Sequence, residues 1–334
     1  KESVKGNNDY YPAQIKVSSI DMNQNVGFGK VVNKGKLLWD VGSKEVQGLL
    51  TATQHANGRD WWIMTNTYPY NKYISFLATP DSVYGPYIQE FGTFDNTTGR
   101  GNGGLVFSPD GTKLAYTNLV GGFVFFDFDR CTGKLTNYRL YPLGDVPSVY
   151  GNIIFSPNSK YLYVTTGLLL WQMNTDTTDI IRSLIKVDTF DGFKDPFLNS
   201  FYMMANGPDG KVYIAAGNGV SHLHVIHQPN ERGIGCNFRQ HDLSTNGIYF
   251  GFGMPNIPNY RLGPLKGSPC DTLHVANKEI TPADYGLKLF PNPASSEIQI
   301  ELTLPTYDTP TEVAIVDVTA AVVQMQKIPD FAYL

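Results

Sequence analysis

The chain has 334 residues, 26 basic and 30 acidic side chains, a formal net charge of -4 and a pI near 5.9. With no basic field to hold a phosphate backbone, nucleic acid is excluded as a partner, and the longest apolar run, Val120 to Phe128, is broken by Gly121, Gly122 and Asp127 and falls far short of the roughly 20 residues of a membrane span. Charged residues make up only 17% of a chain that holds 20 Tyr, 19 Phe, 33 Gly and 21 Pro, and because aromatics suit half-buried pleated strands while Gly and Pro suit tight turns, the fold class is all-β.

Lys1 is not an initiator methionine and Lys1 to Pro12 are polar, so either a signal and more have been removed or the chain is a fragment. The first strand pair is Gln14 to Asp21 with a return over Lys30 to Trp39. A phrase then recurs: a turn pair, two residues, and a β-rich run. It reads Asn57-Gly58-Arg59-Asp60-Trp61-Trp62, then Pro109-Asp110-Gly111-Thr112-Lys113-Leu114, then Pro157-Asn158-Ser159-Lys160-Tyr161-Leu162, then Pro208-Asp209-Gly210-Lys211-Val212-Tyr213. The turn residues Gly58, Gly111, Ser159 and Gly210 lie 53, 48 and 51 positions apart, the period of a propeller blade. An Asn-Gly or Asp-Gly pair supplies the left-handed turn of a tight hairpin, so each copy begins with two strands.

The second copy continues with Phe123 to Phe128, whose unbroken apolarity suits a strand buried between neighbouring blades, then a polar turn, Asp129 to Lys134, and an outer strand, Leu135 to Tyr141. About five units lie between Tyr10 and Leu262. Seven blades are commoner at this blade length, so the expectation is a β-propeller over 1–276 with two more blades upstream of Lys1.

Candidate sites follow from residue type and parity. His55, Arg59, Trp61 and Trp62 form a possible ligand platform, since aromatic faces bind sugars and Arg binds carboxylates; the structural alternative is a Trp packed between blades and an Arg59-Asp60 turn. Asp127 and Asp129 share a strand face and offer carboxylates for Ca2+, or else cap a turn. His222 and His224 alternate onto one face within reach of a metal. Cys236 and Cys270 lie in a Gly/Pro-dense stretch where an oxidising compartment would let them pair, or leave two buried thiols; Cys131 then remains for a segment outside this chain.

After the linker 277–284 the text changes. Leu287 to Phe290, the turn Pro291-Asn292-Pro293 and the alternating run Glu297 to Leu302 read as two strands, and Glu312 to Val318 with Ala321 to Met325 as a hairpin, a pattern for a small β-sandwich. Leu289-Phe290-Pro291-Asn292-Pro293-Ala294 and Val316-Asp317-Val318-Thr319 resemble the C-terminal sorting domain of type IX secretion substrates of the Bacteroidetes, here over 285–334. The blade phrases are similar to surface propellers that precede that domain. Ala320-Ala321 replaces the family's Gly and basic residue, and the chain stops at Leu334 before the closing Gly-x-Tyr strand, which reads as a truncated domain. The resemblance implies an outer-membrane type IX translocon and its shuttle proteins as partners, an extracellular or outer-surface location, and O-glycan attachment at Ser82, Thr177 and Thr272 within Asp-Ser/Thr-aliphatic triplets.

Neither Gly-x-Ser-x-Gly, a phosphate loop nor His-Glu-x-x-His occurs. The expected role is non-catalytic, without a cofactor: binding of a surface polysaccharide or protein, adhesion or surface structure. The alternative is a lactonase-like or glycan-cleaving propeller with converging carboxylates in its central channel. The strands Gly104 to Phe107 and Asn152 to Phe155 bring few acids there, so an apolar or Asn/Gly-lined channel favours binding and paired carboxylates favour an enzyme.

Overall fold

The computed structural model describes residues 3–6, 9–12, 14–40, 46–67, 71–92, 104–118, 122–141, 151–249, 253–271, 286–290, 299–303, 311–316 and 322–328. It divides into two compact units, Lys1–Leu273 and His274–Leu334.

In the first unit, β1 (Ser3–Gly6) pairs with β2 (Asp9–Pro12), and β3 (Gln14–Asp21) with β4 (Lys30–Asp40). Four four-stranded antiparallel sheets then follow in chain order. The first holds β5 (Val46–Gln54), β6 (Trp61–Thr67), β7 (Lys72–Ala78) and β8 (Val83–Glu90). The second holds β9 (Leu105–Phe107), β10 (Lys113–Asn118), β11 (Gly122–Phe128) and β12 (Leu135–Tyr141). The third holds β13 (Asn152–Phe155), β14 (Tyr161–Thr165), β15 (Leu169–Asn174) and β16 (Ile185–Thr189). The fourth holds β17 (Met204–Asn206), β18 (Val212–Ile214), β19 (His222–Ile226) and β20 (Phe238–Ser244). These are propeller blades, and the early unit counted as a fifth is a two-stranded ribbon, β3–β4, among the described residues.

The recurring phrase builds the same turn four times. The amides of Gly58, Gly111, Ser159 and Gly210 donate to the carbonyls of His55, Ser108, Ser156 and Gly207, at 3.0, 2.8, 2.9 and 3.1 Å. All four turn residues have positive φ, from 62° at Ser159 to 78° at Gly210, which is the conformation that makes glycine the default there. Ser159 takes it without a glycine, while Asn158 Oδ1 accepts from the Lys160 amide at 3.1 Å.

Alternation along each strand glues the blades together. On β11, Val124, Phe126 and Phe128 pack with Trp62, Met64 and Tyr73 of the first blade, while Phe123 and Phe125 pack with Ile153, Phe155 and Leu162 of the third. Tyr161, Tyr163 and Leu170 in turn meet Met204, Val212 and Ile226 of the fourth. A strand apolar on both faces is what a middle blade needs, and each such ring removed from water contributes about 1.5–3 kcal/mol.

Beyond β20, residues 253–271 have no regular secondary structure and run as a strap against the first two blades. Asn256 Nδ2 donates to the Leu50 and Leu105 carbonyls at 3.0 and 3.3 Å, and Asn259 Nδ2 to Pro109 at 2.8 Å. The Gly263 amide donates to Gln54 Oε1 at 2.7 Å and the Leu265 amide to the Ala56 carbonyl at 2.8 Å. A Cys131–Cys270 disulfide closes the strap onto the second blade.

In the second unit, β21 (Gly286–Phe290) pairs with β22 (Gln299–Thr303) and β23 (Thr311–Val316) with β24 (Val322–Ile328). These are the strand pair and the hairpin expected of the sorting domain.

Candidate functional site: an axial cavity

The first strands of the four blades, β5, β9, β13 and β17, together line one cavity of about 200 Å³. They reach it because each blade starts on the strand whose far side has no further partner strand. The strap supplies the remaining wall through Met254, Pro255, Asn256 and Ile257. Aliphatic and thioether groups, with Met203 and Met204 joining Met254, share the lining about equally with polar groups. Its polar side chains are three amides, Asn152, Asn206 and Asn256.

Each amide is anchored at one end. Asn152 Oδ1 accepts from the Met204 amide at 3.2 Å, Asn206 Nδ2 donates to the Phe155 carbonyl at 3.2 Å, and Asn256 Nδ2 bonds as described above. Among the described residues, Asn152 Nδ2, Asn206 Oδ1 and Asn256 Oδ1 make no hydrogen bond, which leaves one donor and two acceptors in the lining. Asn152 is buried, whereas Asn206 and Asn256 are exposed. The lining is thus neutral and amphipathic, fit for holding a small uncharged molecule. In the sequence Asn152 opens a strand and Asn256 stands in a segment without periodicity, so no local signal joins them.

The predicted platform is taken apart by the structure. Trp62 is buried between the first two blades, edge-on to Phe128, with Nε1 donating to the Arg130 carbonyl at 2.8 Å. His55 is buried as well, its Nδ1 accepting from the Asn57 amide and its Nε2 lying 2.9 Å from the Cys131 carbonyl. Arg59 and Asp60 pair at 2.7 Å beside the turn. Trp61 faces the other way and tilts against exposed Tyr260 of the strap, ring centroids 5.3 Å apart. Trp62 and His55 are thus buried among protein partners, and Arg59 and Asp60 engage each other at the turn.

Asp127 and Asp129 do not converge on a cation. Asp127 pairs with Arg139 at 2.8 Å and accepts from Asn137. Asp129 caps its turn: partial burial works against its charge, yet bonds from Thr132 and the Cys131 amide hold its carboxyl below the usual range. Nor do His222 and His224 form a ligand pair, because a bulge between Leu223 and Val225 interrupts the pairing with β20 at this point. His222 Nδ1 pairs with Asp195 at 2.9 Å. His224 is fully buried with both nitrogens engaged, by the Asn199 carbonyl at 2.7 Å and the His241 amide at 3.0 Å. Burial lowers its pKa to about 4. Among the described residues no group of three or more His, Cys, Asp or Glu side chains is gathered as a metal site.

The expected Cys236–Cys270 pair is corrected. Cys236 is a buried free thiol in the core between the third and fourth blades, with Tyr163 and Ile226, whereas Cys270 ends the strap beside the second-blade turn and meets Cys131 there. Of the glycan candidates, Ser82 closes a turn with Thr79 and Thr177 Oγ1 donates to the Asn174 carbonyl at 3.2 Å. Thr272 and the turn Pro291-Asn292-Pro293 lie outside the described residues, and Phe290 ends β21.

Residues 288–332 match the family of secretion system C-terminal sorting domains. The protein is therefore a type IX secretion substrate, exported to the cell surface or the extracellular space. No helix among the described residues is long and apolar enough to cross a membrane. No curated protein matched the sequence. Among solved structures, a candidate 6-phosphogluconolactonase of Bacteroides fragilis is 17% identical, with a TM-score of 0.44, over 65% of this chain and 62% of its own. A second, of Bacteroides uniformis, is 17% identical, with a TM-score of 0.42, over 64% of this chain and 60% of its own. The periplasmic gluconolactonase of Pseudomonas aeruginosa is 18% identical, with a TM-score of 0.41, over 72% of this chain and 66% of its own. This chain thus spans less than two thirds of the length of each of them.

Proposed function

We propose that this exported protein is a binding module of the cell surface, with the axial cavity as its ligand site and adhesion or surface attachment as its task. One observation supports the reading: where the four first strands meet, the lining is apolar groups and asparagine amides. Acid–base hydrolysis needs two titratable groups placed on the reacting bond, whereas retention of a ligand needs shape, apolar contact and a few oriented polar groups.

The competing reading is a lactonase-like or glycan-cleaving enzyme. Both are tested on the purified chain by calorimetric titration with surface polysaccharides and their monosaccharides, alongside pH-stat measurement with gluconolactone. Saturable heat without turnover is the expected result; proton release above the spontaneous rate replaces the binding function with an enzymatic one.

A further inference from the structure

We infer that the cavity takes one neutral, hydroxyl-bearing ring, a single uncharged sugar unit, and that the strap is a constituent wall of this site; the inference rests on the binding function proposed above. Size sets the first limit. A dry cavity of 150 Å³ holds one benzene ring, so about 200 Å³ has room for one substituted six-membered ring.

Charge sets the second limit. A carboxylate or ammonium set against this lining gives up part of its hydration and finds no counter-charge among the lining residues, which offer amides instead. Asn206 Oδ1 and Asn256 Oδ1 accept from hydroxyls, and Asn152 Nδ2 donates to one. The C–H groups of a sugar ring meet Met204, Met254 and Ile257, where thioethers adapt to an irregular outline.

Three of these groups, Met254, Asn256 and Ile257, belong to the strap. Its position depends on bonds to Leu50, Leu105, Gln54 and Ala56 and on the Cys131–Cys270 link. The site is therefore complete only when the strap is seated, and its affinity depends on the disulfide.

The test is calorimetric titration of the oxidised chain with glucose, galactose, mannose and N-acetylglucosamine against glucuronate and galacturonate, with octanol as an apolar probe. At least one neutral sugar binds, both uronates bind at least tenfold more weakly, and Asn256→Ala weakens the sugar about 3–10-fold, the worth of one hydrogen bond. A Cys131→Ser/Cys270→Ser variant weakens it further while keeping its far-ultraviolet circular dichroism. Uronates binding as tightly as neutral sugars, or an unchanged affinity in Asn256→Ala, overturn the ligand class. Octanol binding without sugar binding overturns the ligand class and leaves the binding function standing. Unchanged affinity in the double Ser variant overturns the role of the strap, and turnover of gluconolactone overturns the function itself.

Discussion

Trp61 and Trp62 are neighbours in sequence with opposite fates, which strand parity dictates. Trp62 fills the seam between two blades, where a methyl on Gly133 would sit 2.6 Å from its ring. Truncation to Ala removes that packing and the bond to Arg130, so Trp62→Ala costs about 3–5 kcal/mol in urea unfolding, whereas Trp61→Ala loses only its edge contact with Tyr260, about 1 kcal/mol. His224 makes the fold acid-sensitive. Its folded pKa is depressed to about 4, below the ordinary 6.5, so the unfolded chain takes up the proton first. Its contribution is complete above about pH 6.5 and is lost as pH falls toward about 4, by roughly 2 kcal/mol between pH 7 and 5. Urea midpoints measured across that interval check the slope, which flattens in His224→Phe. Sequence alone placed both Trp residues in one candidate site, because nothing local tells which face of β6 meets a neighbouring blade.

At the level of elements, the hairpins were legible and the strap was not. Asn-Gly and Asp-Gly turns are specified by their own chemistry, and alternation marks β11 as doubly buried, so four blades could be read off four phrases. The early pair resembled them in rhythm only and forms a two-stranded ribbon. The strap has neither periodicity nor propensity, and cysteine spacing does not determine connectivity; Cys270 consequently had Cys236 as its expected partner. The disulfide closes a separation of 139 residues. In the chain-entropy account this contributes about 5 kcal/mol, so Cys270→Ser lowers the melting temperature and makes it insensitive to dithiothreitol. Cys236, buried, stays unreactive toward a thiol reagent until the protein is denatured.

The whole molecule joins a propeller to a short tail that carries the address. The tail was legible because its Pro-Asn-Pro turn and alternating strand are local patterns, while the ligand site was not, because it is assembled from four blades and a strap far apart in the chain. Removing residues 288–332 leaves the unit Lys1–Leu273 intact. In a host with an active type IX apparatus, immunoblotting of cell fractions then finds the shortened protein retained in the periplasm, whereas the complete chain reaches the outside.

The bridge at Cys270 also decides where tension goes. When export machinery or a surface anchor pulls on the tail, force travelling back along the backbone meets the covalent link to Cys131 before it reaches the hydrogen bonds of residues 253–265. It is diverted into the turn of the second blade, so the segment before Cys270 stays slack while the end of the chain is under load.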